Sequence, residues 1–221
     1  MEIATLARTS FLDFDHPEVA AFARHRAGEG SNREKAVRLY YAVRDGIRYD
    51  PYSFHVTPDW LSASRTLQAG VGWCVPKAVL LAACCRAEGI PARLGFADVK
   101  NHLATERLLK VMGSDLFIWH GYVSILLDGR WVKATPAFNI EMCRRFDVLP
   151  LEFDGTADSL LQPYDARNRR HMEYVRDRGL FDDLPFEALS ADMRATYPRL
   201  IAAAEAGSVK GRFETEAIRR A

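Results

Sequence analysis

The chain has 221 residues, of which 48% are hydrophobic and 27% are charged, a balance typical of one globular domain with a sizeable core. It holds 30 basic and 29 acidic residues, and the resulting net charge of +1 does not favour binding to nucleic acid. It has no apolar run near the roughly 18 residues that a membrane span needs, and its first residues lack a signal-peptide pattern. We therefore expect a cytoplasmic protein that binds neither nucleic acid nor membranes.

The first half of the chain carries helical patterns. Apolar residues recur at helical spacing behind polar residues that can cap a helix. Pro51 excludes helical geometry at Asp50, so the stretch over 47–52 is predicted to be extended. The predicted helices span residues 17–26, 32–46 and 74–88, and residues 58–72 are predicted to form a loop or a short helix.

Strand patterns dominate from residue 92, and helical patterns return after residue 166. The predicted strands span residues 92–99, 117–127, 130–135 and 148–153, with a helical turn over 104–112, and the predicted later helices span 167–178, 186–196 and 198–206. The order predicts an α+β fold with a core over residues 1–165 and a helical extension over residues 166–221 packed on the same domain. The sequence leaves open whether this extension packs on a cleft or mediates a homodimer.

The most informative stretch is the glycine-rich segment Gly70-Val71-Gly72-Trp73-Cys74, which leads into the central predicted helix. Unpaired N–H groups and the positive end of the helix dipole stabilise an anion at such a position. A thiolate is an anion, so a partly open Cys74 is predicted to have a lowered pKa and to act as a nucleophile. The competing interpretation is a small, buried hydrophobic side chain.

The cysteines show no spacing typical of a zinc site or of a disulfide framework. They are Cys74, Cys84, Cys85 and Cys143. This usage fits a reducing compartment. The chain also lacks a cluster of acidic residues and a glycine-rich phosphate loop. We therefore expect no metal, no nucleotide and no other cofactor.

The Asp128-Gly129 dipeptide predicts a type I′ turn between two strands. Alternation along each strand and pairing across the turn then place one set of side chains on the same side of the hairpin. This set is His120, Tyr122, Lys133 and Thr135. Thr135 lies diagonally across from His120, and a Cys–His pair needs such an orienting third group.

These motifs resemble the transglutaminase-like superfamily, in particular bacterial-type single-domain members. The resemblance extends from about Tyr40 to Asn139. It rests on the order of Gly-x-Gly-x-Cys ending at Cys74, Gly89-Ile90-Pro91-Ala92-Arg93, Trp119-His120-Gly121-Tyr122-Val123 and Gly129-Arg130-Trp131-Val132. It implies a papain-like core, in which a helix bearing Cys74 as nucleophile packs on an antiparallel sheet bearing His120 as base.

The chain departs from this family at the third catalytic position. The family's Trp-Val-x-x-Asp-Pro pattern is Trp131-Val132-Lys133-Ala134-Thr135-Pro136 here, so Thr135 stands in place of the aspartate. A hydroxyl can accept a hydrogen bond from the imidazole, but it brings no charge to stabilise an imidazolium. Asn139 is the alternative orienting residue, as in papain-like enzymes, and an ordinary strand threonine is the interpretation without a functional role.

Further residues are predicted to lie around the nucleophile. The backbone N–H of Cys74 is a predicted oxyanion donor, and the Gln68 amide is either a second donor or an ordinary surface group. Trp73, Trp119 and Tyr52 are predicted to line the cleft, although aromatic residues more often belong to the core.

The residues and the resemblance together predict a cysteine peptidase or amidase that hydrolyses a peptide or amide substrate through a thioacyl intermediate on Cys74. A catalytic triad of Cys74, His120 and Thr135 would carry the reaction. The first alternative is a non-catalytic binding module of the same fold, which Thr135 favours. The others are a transamidase and an arylamine acyltransferase, and the latter needs a coenzyme A groove that the sequence does not show.

Overall fold

The computed structural model describes residues 4–102, 104–160, 172–207 and 213–216, and within these residues it has an α+β architecture. The helices are α1 (Pro17–Ala27), α2 (Asn32–Gly46), α3 (Ala63–Ala69), α4 (Cys74–Ala87), α5 (Glu106–Met112), α6 (Ile140–Phe146), α7 (Phe186–Thr196) and α8 (Pro198–Glu205). The strands are β1 (Arg48–Tyr49), β2 (Val71–Gly72), β3 (Ala92–Asn101), β4 (Leu116–Leu127), β5 (Arg130–Ala134) and β6 (Met172–Phe181).

Helix α4 lies at the centre of the fold because all of its residues except Lys77 and Arg86 are uncharged and most are apolar. Of its 14 residues, 13 are buried, and only Ala87 at its end is partly exposed. Helices α1, α2 and α3 pack against it, and so do strands β3 and β4. A helix that is apolar all round is expected to be enclosed in this way. None of the described helices combines the length and the apolarity that crossing a bilayer requires.

The main sheet is antiparallel and has the strand order β5-β4-β3-β6. The predicted hairpin is confirmed, since Leu127 pairs with Arg130 and the pairing runs back to Val123 and Ala134. Asp128 and Gly129 both have positive φ angles, 48° and 78°, as a type I′ turn requires. The Lys133 ammonium lies 5.4 Å from the centroid of the Tyr122 ring, so these two side chains share a face as predicted.

A short parallel pair of strands, which the sequence did not indicate, fixes the segment before α4. Strand β1 pairs with β2, placing Arg48 beside Val71 and Tyr49 beside Gly72. The N–H of Asp50 extends the pairing by donating to the Gly72 carbonyl at 3.1 Å. This contact brings the extended stretch around Tyr49 next to the glycine-rich segment.

Two predicted elements are wrong. Residues 148–153 form no strand, and the Tyr40 hydroxyl instead donates a hydrogen bond to the Leu151 carbonyl at 2.9 Å. The helix predicted over 167–178 is a strand from Met172 onward, where β6 pairs with β3. Its residues 167–171 lie outside the described residues. Helix α6 was not predicted.

A buried lysine joins α4 to the end of α2. Lys77 is fully buried, and its Nζ donates to the carbonyl oxygens of Arg44 at 2.8 Å and of Ile47 at 2.5 Å. These carbonyls belong to the helix end, where acceptors lack partners within the helix. Burial lowers the pKa of Lys77 from 10.5 to about 7 because it disfavours the charged form.

We expect Lys77→Met to destabilise the protein by about 1 to 3 kcal/mol at pH 7, because two buried carbonyls lose their donor. A lowered amine pKa makes the unfolded chain bind more protons than the folded one between about pH 7 and pH 10, so wild-type stability rises with pH there. The loss in the variant should therefore be larger at pH 9 than at pH 7, by on the order of 2 kcal/mol. Urea unfolding at the two pH values measures both effects.

The matched control is Lys35→Met, which removes a partly exposed ammonium 2.9 Å from the Glu88 carboxylate. Such pairs contribute about 1 kcal/mol or less. Equal losses for the two variants at both pH values would contradict the role of Lys77.

Candidate functional site

Cys74 and His120 line the same cleft, in which about 560 Å³ of space lies between the lining atoms, part of it open to solvent. Cys74 is the first residue of α4, and His120 lies in β4. Both are nearly buried, with 7% and 4% of their surface exposed. The other described cysteines, Cys84, Cys85 and Cys143, are at most 1% exposed and do not line the cleft. Cys74 is therefore the one thiol among the described residues that faces this space.

Gly121 brings these two elements together. Its N–H is directed at the Cys74 thiol, and its Cα lies against the first turn of α4. A Cβ atom at Gly121 would lie 3.1 Å from the Val75 Cα and 3.2 Å from the Cys74 carbonyl oxygen, closer than ordinary contacts allow. Because Gly121 directly follows His120, this backbone approach puts His120 beside the start of the helix.

The predicted lowering of the Cys74 pKa is wrong for this structure. Burial raises the pKa of the thiol to about 11, because the low-dielectric surroundings disfavour the thiolate. The N–H groups of Gly121, Val75 and Cys74 act in the opposite direction but are outweighed. The helix start therefore offsets only part of the cost of burial, and the thiol of the resting site is protonated at neutral pH.

Trp119, the residue before His120, has a left-handed backbone. Its φ angle is 56°, a conformation that costs a non-glycine residue roughly 1–2 kcal/mol. The pairing of β3 with β4 shifts register at this point, between Ala97 and Val99. Such irregularities re-aim side chains and are common beside active sites. The backbone turn at Trp119 thus sets the direction in which His120 leaves the strand.

One buried and one half-exposed ion pair hold Trp119 in this conformation. Asp98 accepts a hydrogen bond from the Trp119 backbone N–H at 3.0 Å, and Asp192 accepts one from the indole N–H at 2.9 Å. The Arg178 guanidinium donates to both carboxylates and stacks over the indole at 4.5 Å from the ring centroid. Asp98 and the Arg178 side chain are almost fully buried. We name Asp98, Arg178, Asp192 and Trp119 the Trp119 clamp.

The two predicted partners of His120 are placed differently from the prediction. The hydroxyl of Thr135 is buried but makes no hydrogen bond with any described group. The Asn139 amide binds within the fold, since its oxygen accepts from the Tyr49 N–H at 3.0 Å and its nitrogen donates to Glu141 at 2.9 Å. Asn139 instead fastens α6 to the β1 segment.

Of the other predicted residues, Trp73 lines the cleft and packs against Phe54, with ring centroids 4.9 Å apart. Gln68 is exposed on α3 and does not line the cleft. Tyr52 and Trp119 do not line it either, which corrects their predicted positions. The Tyr52 hydroxyl donates to Glu216 at 2.8 Å, and the Trp119 ring packs against Phe96 and Phe181.

The sequence did not single out several groups that shape the site. Tyr49, Val99, Asn101 and Phe138 line the cleft although they come from separate parts of the chain. Asp98 could have been identified from the sequence, because it is an acidic residue inside the apolar strand pattern Leu94–Val99. No three His, Cys, Asp or Glu side chains lie close enough to hold a metal ion within residues 4–102, 104–160, 172–207 and 213–216.

Comparison with known proteins places the site in a family context. A family model, the transglutaminase-like superfamily, matches residues 20–136. Among curated proteins, none matches the chain. A solved structure from Cytophaga hutchinsonii, named a "putative cysteine protease", is 17% identical with a TM-score of 0.46, over 80% of this chain and 52% of its own. One from Parabacteroides distasonis, named a "putative protease", is 20% identical with a TM-score of 0.41, over 60% of this chain and 25% of its own. The chain thus spans about half and a quarter of their lengths.

We expect Gly121→Ala to slow alkylation of Cys74 by iodoacetamide at least about tenfold, because the added methyl group pushes the start of α4 away from β4. The loss of stability should be about 1 to 3 kcal/mol. Gly46→Ala is the control, since a Cβ atom there meets nothing within 4 Å. Mass-mapped alkylation and urea unfolding measure both effects, and an unchanged alkylation rate at Cys74 in Gly121→Ala would contradict the expected role.

We expect Asp98→Ala to slow Cys74 alkylation about tenfold in folded protein and to shift its pH profile, because Trp119 no longer holds His120 in place. Asp98→Asn keeps an oxygen acceptor for the Trp119 N–H and should retain most of the rate. Asp182→Ala, which removes the half-exposed ion pair with Arg93, should change nothing. If Asp98→Ala loses stability while its rate and pH profile stay unchanged, the clamp only stabilises the fold.

Proposed function

The chain belongs to the transglutaminase-like superfamily, and from this premise we propose that it is a thiol-dependent acyl-transfer enzyme that hydrolyses amide or peptide bonds. The observation that carries the proposal is the meeting of Cys74 and His120 on one cleft, at the start of a buried helix. A nucleophile and a base held next to each other at a helix N-terminus suit covalent catalysis of acyl transfer.

In the proposed reaction, His120 takes the proton of the Cys74 thiol while the sulfur attacks the carbonyl carbon of the amide. The C–N bond then breaks, and the departing amine takes the proton from the imidazole. Water next adds to the thioester and gives a proton to His120. The C–S bond then breaks, and the leaving sulfur takes this proton back from the imidazole. The products are a carboxylic acid and an amine, and the thiol is restored.

Backbone N–H groups are the proposed stabilisers of the oxyanion. The N–H of Cys74 lies at the start of α4, and the N–H of Gly121 is directed at the same sulfur. Fixed donors of this kind stabilise the charge that develops on the carbonyl oxygen. Gly121 is the second donor in this proposal, in place of the exposed Gln68.

The raised pKa of Cys74 fits a general-base mechanism. At a pKa of about 11 the thiol is protonated at neutral pH, so the proton must leave as the sulfur attacks. In the proposal His120 therefore acts during the reaction rather than by holding a thiolate in the resting enzyme. A resolving amine in place of water would give transamidation, which analysis of the products distinguishes from hydrolysis.

A binding module without activity is the second candidate, and Thr135 favours it. Its hydroxyl makes no hydrogen bond with a described group, so it supplies neither charge nor orientation to His120. Loss of the orienting acid slows a catalytic triad by up to about 10⁴-fold. A measurement of the reactivity of Cys74 distinguishes the enzyme from the binding module.

We expect mass-mapped iodoacetamide labelling between pH 6 and pH 9 to modify Cys74 ahead of the other cysteines, which are more deeply buried. His120→Ala should slow this labelling about a hundredfold at pH 7.5, because the thiol loses its general base. His55→Ala is the control, since His55 stacks on Trp60 at 4.3 Å and does not line the cleft.

Amide hydrolysis provides the second arm of this test. Wild-type protein should release amine from a panel of acyl anilides, and Cys74→Ala should not. Labelling that is identical in wild type and His120→Ala, together with no anilide hydrolysis, would reject the enzyme and leave the binding module.

A further inference from the structure

The wall of the cleft around Cys74 carries no charged side chain among the described residues. Its polar members besides Cys74 and His120 are Asn101 and the phenols of Tyr49 and Tyr197. The Tyr197 hydroxyl is used within the fold, donating to the Leu116 carbonyl and accepting from the Ile118 N–H, each at 2.7 Å. Burial raises the pKa of both phenols well above their usual value, so both stay neutral.

The rest of the wall is apolar and adaptable. It includes three methionines, Met112, Met172 and Met193, together with the rings of Phe117 and Phe138. Methionine side chains are flexible and polarizable, so they adjust to apolar groups of different shapes. The wall therefore favours uncharged groups and does not require a group of one particular shape.

The apolar space continues beyond the cleft. A second, smaller space shares Tyr49, Asn101, Leu108 and Phe138 with it and is also lined by Phe213. The space between the lining atoms of the cleft is about 560 Å³, and part of it is open to solvent.

We propose that the substrate is an amide whose acyl part carries an uncharged apolar group, aliphatic or aromatic, which occupies this cleft while Cys74 attacks the carbonyl. The inference rests on the proposed acyl transfer and names its substrate class. A charged group in the same place would lose its hydration without finding a partner of opposite sign. An apolar group gains by leaving water.

The first test needs no turnover, so it separates this inference from the proposed function. Cys74 is alkylated with neutral N-benzyl iodoacetamide, with iodoacetamide and with anionic iodoacetate, and each rate is divided by that of free glutathione. The benzyl reagent should be at least about tenfold faster than iodoacetamide, and iodoacetate at least about tenfold slower. Iodoacetate as fast as iodoacetamide would overturn the inference.

Phe117 offers a matched pair of variants because it lines the cleft and is only partly buried. Phe117→Lys places an ammonium at the edge of the wall, where its stem lies along the cleft and its charge reaches water. The relative rate of iodoacetate should rise at least about tenfold, whereas Phe117→Leu should keep the wild-type order. Thermal unfolding checks that both variants fold, and an unchanged order in folded Phe117→Lys would count against the inference.

Asn101→Asp provides the opposite charge at nearly the same volume if Phe117→Lys does not fold. It should slow iodoacetate further and speed a cationic aminoethyl iodoacetamide at least about fivefold. No change for either reagent would overturn the inference.

Anilides of acetyl-Phe, acetyl-Leu, acetyl-Lys and acetyl-Glu then test the substrate class itself. The apolar pair should exceed the charged pair at least about a hundredfold in kcat/KM. A charged substrate as good as the apolar ones overturns the inference. Selective alkylation with no hydrolysis of any anilide would reject the proposed function and the substrate class that rests on it. The preference of the cleft for uncharged apolar groups would still stand.

Discussion

The close approach of Gly121 to the first turn of α4 is the contact on which the rest of the site depends. Because Gly121 has no side chain, the backbone of β4 lies so close to Cys74 and Val75 that an added Cβ atom would come within 3.1 to 3.2 Å of them. The Gly121 N–H then acts to lower the pKa of the Cys74 thiol, and His120 lies one residue away in the chain. Since α4 is enclosed by three helices and the sheet, this contact also fixes where the cleft opens.

Charged groups surround the cleft but do not enter its described wall. Lys77 lies one turn after Cys74 on α4 and binds the end of α2. Asp98 and Arg178 hold the strained backbone of Trp119, the residue before His120. Buried charges of this kind add little net stability, but removing one partner is costly. They therefore fix positions behind the reacting groups, while the space that a substrate would enter stays neutral.

Burial has opposite effects on the two sides of the proposed chemistry. It raises the pKa of Cys74, which leaves the sulfur protonated and less nucleophilic at rest. In the proposed reaction, the same low-dielectric surroundings would strengthen hydrogen bonds to a developing oxyanion and favour an apolar substrate. A neutral thiol beside an imidazole loses less hydration free energy in such a cleft than a preformed thiolate–imidazolium pair. This accords with Thr135 standing where the family pattern has an aspartate.

Local patterns in the sequence determined α4 and the hairpin with its register, because periodicity and the Asp128-Gly129 turn act over few residues. Family motifs pointed to Cys74 and His120, which line one cleft in the structure. The charged stretch of β6 looked helical, and only its long-range pairing with β3 makes it a strand. Three further features could be identified only from the tertiary structure. They are the pKa of Cys74, the Trp119 clamp and the wall of the cleft. Each depends on burial or on contacts between residues far apart in the chain, which local sequence patterns do not encode.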